Sequence, residues 1–319
     1  MRQLPREHPA LAASGVLAVM VMVLVGAEGL HDVAQRGLTG LTLGTIYALG
    51  AVGLTLVYGI LRLVNFAHGD FLAFGAYMAY LVNVTWGLPL AAAIFFAMAT
   101  TALLGLLSER FMWRPMRVKG AGFLQLILMS IGLAFVIRSA IQWFWGTEIR
   151  TLDVNVTDSV TFLGLRIGQT ELIGVVVGIA VLVAVGLMVR FSPLGKRMRA
   201  LSDDIDLAEI AGIDTRRVIL YTWLFAGALA GLAGVLSGAL TNLRPELGFE
   251  LLLPIFAAVI LGGIGNPFGA LAAGLVLGVA IEWSTLVVEP RWKVTFGFVA
   301  LIITLVIRPQ GIFGRATAI

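Results

Sequence analysis

Seven long stretches of the chain carry no Asp, Glu, Lys or Arg: residues 9–27, 37–61, 71–108, 120–137, 172–189, 218–243 and 251–281. A hydrocarbon core about 30 Å thick is crossed by roughly 20 apolar helical residues. Lipid offers backbone polar groups no partner, so a chain patterned this way spans a membrane as helices whose hydrogen bonds are internal. Composition agrees, with 59% hydrophobic and 13% charged residues in 319, against about 45 to 50% and about 25% in soluble domains. The predicted class is an all-α polytopic integral membrane protein with about 8 to 10 membrane helices, some of them re-entrant or broken. Residues 1–319 read as a single transmembrane domain.

The net charge of +4 has a local cause. Basic residues gather in the loop 109–119 (Arg110, Arg114, Arg117, Lys119) and in the loop 191–217 (Lys196, Arg197, Arg199, Arg216, Arg217). Such loops stay cytoplasmic because translocating them is unfavourable. With these loops inside, both termini are expected to be cytoplasmic, and no nucleic-acid partner is implied. The loop 146–171 then lies outside, and its β-prone segment 160–167, broken at Gly164, predicts a small hairpin. Arg2 and Arg6 before the apolar residues 10–26 imitate a signal peptide, but that length favours a retained first helix.

Two interruptions break the helix pattern. Residues 251–288 are too few to cross the core twice around the turn 262–269, since 38 residues at 1.5 Å give roughly 57 Å against about 60 Å needed. The first limb is therefore expected to be re-entrant or broken. The other interruption is the polar insertion 62–70. Non-helical backbone at membrane depth survives only against protein or a watery cavity, so both breaks are expected to border a transport path, with Asn65, His68, Gly69 and Asp70 in one and Gly262, Gly263, Gly265 and Asn266 in the other. A capping role for Asp70 at a helix start is the competing reading. Seven Gly-x-x-x-Gly spacings, among them 40/44, 227/231 and 274/278, signal close helix packing.

Enzyme signals are poor. His8, His31 and His68 are far apart and no cysteine is present, so neither a metal nor a thiolate site is expected. Gly195-Lys196 is followed by Arg197 rather than Ser or Thr, so no phosphate-binding loop of the P-loop kind is present and no cofactor is expected. Arg138 and Glu282 fall inside apolar runs near their expected outer ends, where pairing or snorkelling would explain them. Residues 203–212 carry helix punctuation: Ser202, Asp203 or Asp204 as cap, Asp206 and Glu209 at the positive end, and Gly212 as terminator. Leu207, Ile210 and Ala211 make an apolar edge on a helix too short to stand alone. It either lies on the membrane or docks into a partner's groove.

The segments Leu56-Val-Tyr-Gly-Ile-Leu-Arg-Leu-Val-Asn-Phe-Ala-His-Gly-Asp-Phe71, Arg114-Pro-Met-Arg117, Ala211-Gly-Ile-Asp-Thr-Arg-Arg-Val218, Ala258-Val-Ile-Leu-Gly-Gly-Ile-Gly-Asn-Pro-Phe-Gly-Ala270 and Arg308-Pro-Gln-Gly-Ile-Phe-Gly314 resemble, in order, the branched-chain amino-acid ABC permease family of LivH type. Urea permeases of the same superfamily share some of these features. The resemblance implies an importer half in the inner membrane, with a second permease subunit (a paralogue or a second copy), two cytoplasmic ATPase subunits and an external solute-binding protein as partners. It also implies that the stretch containing Asp203, Asp206, Leu207, Glu209, Ile210, Ala211 and Gly212 is the coupling helix. A carrier or channel working alone is the alternative class, for which the chain offers only peripheral acids as an ion site.

Overall fold

The computed structural model describes residues 26, 29–154, 158–162, 164–307 and 311. The expected first span, the location of both termini and most of the Arg308 motif lie outside the described residues. Among them, six helices or helix runs are long and apolar enough to span a membrane.

The first of these, α1 (Leu30–Leu61), is the axle of the molecule, with 89% of its most apolar window buried. A helix apolar on every side belongs in a core. Arg62, in the left-handed region at φ 51, ends α1, and its N–H donates to the Tyr58 carbonyl. The chain then doubles back without helical structure to α2 (His68–Tyr80). His68 Nε2 lies 3.0 Å from the Gly50 carbonyl oxygen, eleven residues or roughly 16 Å before the end of α1. The second helix therefore starts at mid-depth, a re-entrant course. The non-helical part is shorter than the predicted 62–70 insertion, because His68, Gly69 and Asp70 already form the first turn of α2.

A π-helical turn (Leu81–Thr85) leads to α3 (Leu90–Ser108), followed by a second π turn (Glu109–Trp113) and α4 (Arg114–Val118). Helix α5 (Phe123–Trp145) comes next, then the antiparallel hairpin of β1 (Ser159–Phe162) and β2 (Leu165–Gly168). The hairpin sits where its sequence placed it and is tied to the start of α1 by Gln35, which bonds both backbone groups of Arg166. Helices α6 (Gln169–Phe191), α7 (Pro193–Asp203), α8 (Ile205–Ile210), α9 (Thr215–Leu240), α10 (Leu247–Gly262), α11 (Pro267–Ser284) and α12 (Lys293–Ile307) complete the fold. The windows of α3, α5 and α6 are buried by less than a third, so these helices form the outside of the described bundle.

Helix α10, 16 residues with Pro254 inside it, is about 24 Å long, the short limb that the length argument required. Its bounds differ from the prediction: the limb starts at Leu247, and the turn is only 263–266. Pro267 fits the first helical position, where no N–H is needed, and Asn266 Oδ1 caps the helix by accepting from Phe268 and Gly269 N–H at 3.2 Å each. Gly263 and Gly265 have φ of +91 and +85, which side chains with a Cβ rarely adopt.

Small residues set the helix contacts. A Cβ on Gly44 would lie 2.8 Å from the Leu275 oxygen, one on Gly40 2.6 Å from the Val279 Cα, and one on Gly274 2.5 Å from the Ala48 Cα, so α1 and α11 pack backbone to backbone. On α9, Gly227 and Gly231 meet Ala102 and Ala97 of α3 in the same way. Of the Gly-x-x-x-Gly pairs, 40/44, 227/231 and 274/278 sit in helix crossings, while 164/168 belongs to the hairpin and 265/269 joins the turn to the first residues of α11. Gly44→Val should therefore lower the melting temperature in detergent by several degrees, through overpacking of about 1–3 kcal/mol or more. Gly132→Ala, with open space around its Cβ, should leave it unchanged or raise it.

Candidate functional site

A cavity of about 640 Å³ opens where the end of α1, the end of α7 and the turn 263–266 meet. Thr55, Gly59 and Arg62 line it from α1, Arg199 and Ser202 from α7, and Gly265 and Asn266 from the turn. Three hydrogen bonds hold these walls together. Gly265 N–H donates to Thr55 Oγ1 at 3.0 Å. Ser202 Oγ donates to the Gly59 oxygen at 2.8 Å, and Arg62 Nη2 donates to the Ser202 oxygen at 3.3 Å. Gly59 and Gly265 face one another closely enough that a Cβ on Gly59 would lie 3.5 Å from the Gly265 Cα.

The residues expected along a path thus fall in separate places. Gly265 and Asn266 border the cavity. Gly262 packs on the backbone of Gly269 and Ala270, and Gly263 packs on Gly311. Asn65, His68, Gly69 and Asp70 lie deeper and are buried. Asn65 Oδ1 accepts from Ala67 N–H at 3.1 Å, while its Nδ2 has no partner among the described residues. Phe66 N–H donates to Ser130 Oγ of α5, so protein satisfies this stretch of irregular backbone, as lipid could not. Gly69 and Gly248 join α2 to α10 backbone to backbone.

Asp70 is not the helix cap that its position allowed. Its carboxylate accepts from Arg138 Nε at 3.0 Å and Nη2 at 3.3 Å. Arg138 accordingly turns inward to a partner instead of snorkelling. Glu282 pairs with Lys293 Nζ at 2.6 Å, the ion-pair reading of that residue. Sequence reasoning assigned no contact to Glu109, which accepts from Arg117 and, at 2.9 Å, from the indole N–H of Trp223. Trp113 stacks on that indole with centroids 6.2 Å apart. No local signal joins residues 114 positions apart.

Beyond the cavity wall, the chain continues directly into α8. Asp204, of the three candidate caps, is the one used, its Oδ1 accepting from Leu207 N–H at 3.0 Å, while Asp203 belongs to α7 and Asp206 and Glu209 to α8. Gly212 takes φ +83 in the turn before α9. Ala208 is buried, whereas Leu207 and Ile210 are 64% and 84% exposed. Ala211 is exposed beside them. Two large apolar side chains therefore stand in the open one turn from the bonds that tie α7 to α1.

Together these features define a polytopic membrane protein with two broken helices, an open cavity and, next to it, a short helix with two exposed apolar side chains. Residues 37–305 match the family described as the branched-chain amino acid transport system / permease component, and the chain belongs to that family. It is 32% identical over 296 residues to the high-affinity branched-chain amino acid transport system permease protein LivH of Escherichia coli, covering 88% of this chain and 95% of that one. The corresponding protein BraD of Pseudomonas aeruginosa is 31% identical, with 90% and 97% covered. LivM of Escherichia coli, named as a permease protein of the same kind of system, is 27% identical, with 92% and 74% covered.

Thr55→Val removes the acceptor of the Gly265 N–H while keeping the side-chain volume. A donor left without a partner costs about 1–3 kcal/mol, so this variant should melt earlier and exchange the Gly265 amide faster in hydrogen-exchange mass spectrometry. Thr55→Ser should restore both.

Proposed function

We propose that the chain is the permease subunit of an ATP-binding-cassette importer in the bacterial cytoplasmic membrane, carrying leucine, isoleucine or valine. The observation that carries the reading is the geometry of α8. A helix of six residues cannot hold itself together in water, yet it presents Leu207 and Ile210 outward, the arrangement of a helix completed by a partner's groove. Asp204 links it to Ser202, which bonds to Gly59 at the cavity wall. An ATPase subunit that moves α8 thereby pulls on α1 and, through Thr55 and Gly265, on the turn 263–266. ATP binding then reaches the path without this chain contacting nucleotide.

The likeness to both LivH and LivM supports a pore built from two related permease subunits, with two ATPase subunits below and a solute-binding protein outside. In this reading the cavity is the inner end of the path, bordered by Gly265 and Asn266. Asn65, His68, Gly69 and Asp70 form its deeper wall, with Gly262 and Gly263 setting the turn.

Leu207→Asp or Ile210→Asp should abolish co-purification of the ATPase or cut ATP-driven uptake at least tenfold, without lowering the melting temperature of the membrane domain, since both side chains are exposed. A variant that keeps its ATPase and transports normally would remove α8 from the coupling role. In proteoliposomes with the matching binding protein and ATPases, labelled leucine uptake should be competed by isoleucine and valine and untouched by urea. Competition by urea alone would assign a different solute.

A further inference from the structure

Helix α5 is the least buried of the long helices, and its exposed surface is mostly large and apolar, including Leu124, Leu128, Phe135 and Val136. One strip of it departs from this pattern. Arg138 stands seven residues, or about 10 Å, from the Trp145 end of the helix, inside the thickness of a hydrocarbon core. Its side chain is 18% exposed, while its partner Asp70 is only 1% exposed. Asp70 takes Nε and Nη2, and among the described residues no acceptor takes Nη1. The guanidinium carbon lies 5.2 Å from the ring centre of Phe249 on α10 and 5.9 Å from that of Phe135, and both rings are more than half exposed.

The strip continues along the α5 and α10 boundary. One turn beyond Arg138, Gln142 Nε2 donates to Glu246 at 3.3 Å, and Arg244 pairs with Glu250 at 3.4 Å. Against lipid, a guanidinium with an open donor at this depth is strongly unfavourable. Against a watery path the same group is an anion receptor, because arginine presents a planar fork of donors to a carboxylate. Three residues before α2, the helix that carries Asp70, the fully buried Nδ2 of Asn65 is a second donor without a partner among the described residues.

We infer that the seam of Arg138, Phe135 and Phe249, with Asp70 behind it, is a contact site for the transported amino acid. Nη1 of Arg138 donates a hydrogen bond to the solute carboxylate while Asp70 keeps the guanidinium oriented, and the two exposed rings receive the branched apolar side chain. The acidic groups of Glu246 and Glu250, further along the seam, favour the approach of the ammonium end. The inference rests on the amino-acid importer reading and adds to it a place in the chain where the solute is held between the binding protein and the cavity.

The test uses the complete transporter in proteoliposomes with loaded binding protein, reading leucine uptake and ATP hydrolysis in parallel. Asp70→Asn with Arg138→Gln removes both charges together and leaves no buried charge unpaired. On addition of loaded binding protein, this double variant should import at least tenfold less leucine per ATP hydrolysed than the parent. Phe249→Ala, a change at an exposed ring that leaves the ion pair whole, should lower uptake per ATP severalfold; it decides the matter if the double variant fails to assemble. Unchanged uptake per ATP in the assembled variants would make the pair purely structural and overturn the inference. Failure of the parent transporter to import leucine would instead sink the importer reading itself.

Discussion

Everything else in the molecule hangs on the backbone contact between α1 and α11. With Gly40, Gly44 and Gly274 in the crossing, the two helices approach more closely than any larger side chain allows. In a membrane, helix association has no hydrophobic drive between apolar faces, so close van der Waals contact and interhelical hydrogen bonds supply it. The crossing sets the register along α1, and register decides which residues of α1 meet the turn at the far end of α11. Because the contact holds from Gly40 to Ala48, Gly59 arrives opposite Gly265 and Thr55 reaches the Gly265 N–H.

The same axle makes the broken helices tolerable. Irregular backbone at 62–67 is tied to α5 through Phe66 and Ser130, and that at 263–266 to α1 through Gly265 and Thr55, so these backbone groups are satisfied by protein. The bonds of Ser202 and Arg62 then convert a structural necessity into a linkage, since the element that closes the cavity runs straight into α8. In the proposed importer, this short helix with Leu207 and Ile210 outward serves as a lever as well as a landing site.

The sequence was most informative where signals are local. Uncharged runs from residue 37 onward marked the described spans, the length shortfall after residue 251 pointed to the short limb, and the β-prone segment around Gly164 to the hairpin. The cap at Asp204 was among the three candidates because capping depends on a residue's own backbone neighbours. Boundaries at the two breaks were placed too generously: polar residues such as His68, Asp70 and Asn266 look like loop, yet inside protein the first two enter the first turn of α2 and the third caps a helix that begins at Pro267. The contacts Ser202 with Gly59, Asp70 with Arg138 and Glu109 with Trp223 join positions 143, 68 and 114 residues apart. Their pairing is decided by helix packing, for which a single chain's pattern carries no register.

The described chain has no cysteine, which permits single-thiol probes without a prior background variant. Ile264 is exposed beside the cavity, Val176 is exposed on the outside of α6, and Ala51 is buried in α1. Reaction of Ile264→Cys, Val176→Cys and Ala51→Cys with a charged, membrane-impermeant thiol reagent in inverted vesicles reads directly whether the turn 263–266 faces water. The expected result is rapid modification at position 264, slowed when a non-hydrolysable ATP analogue closes the ATPase subunits, with positions 176 and 51 inert. Equal inertness at 264 and 176 in every nucleotide state would contradict a water-facing turn and the mechanical link from α8 to it.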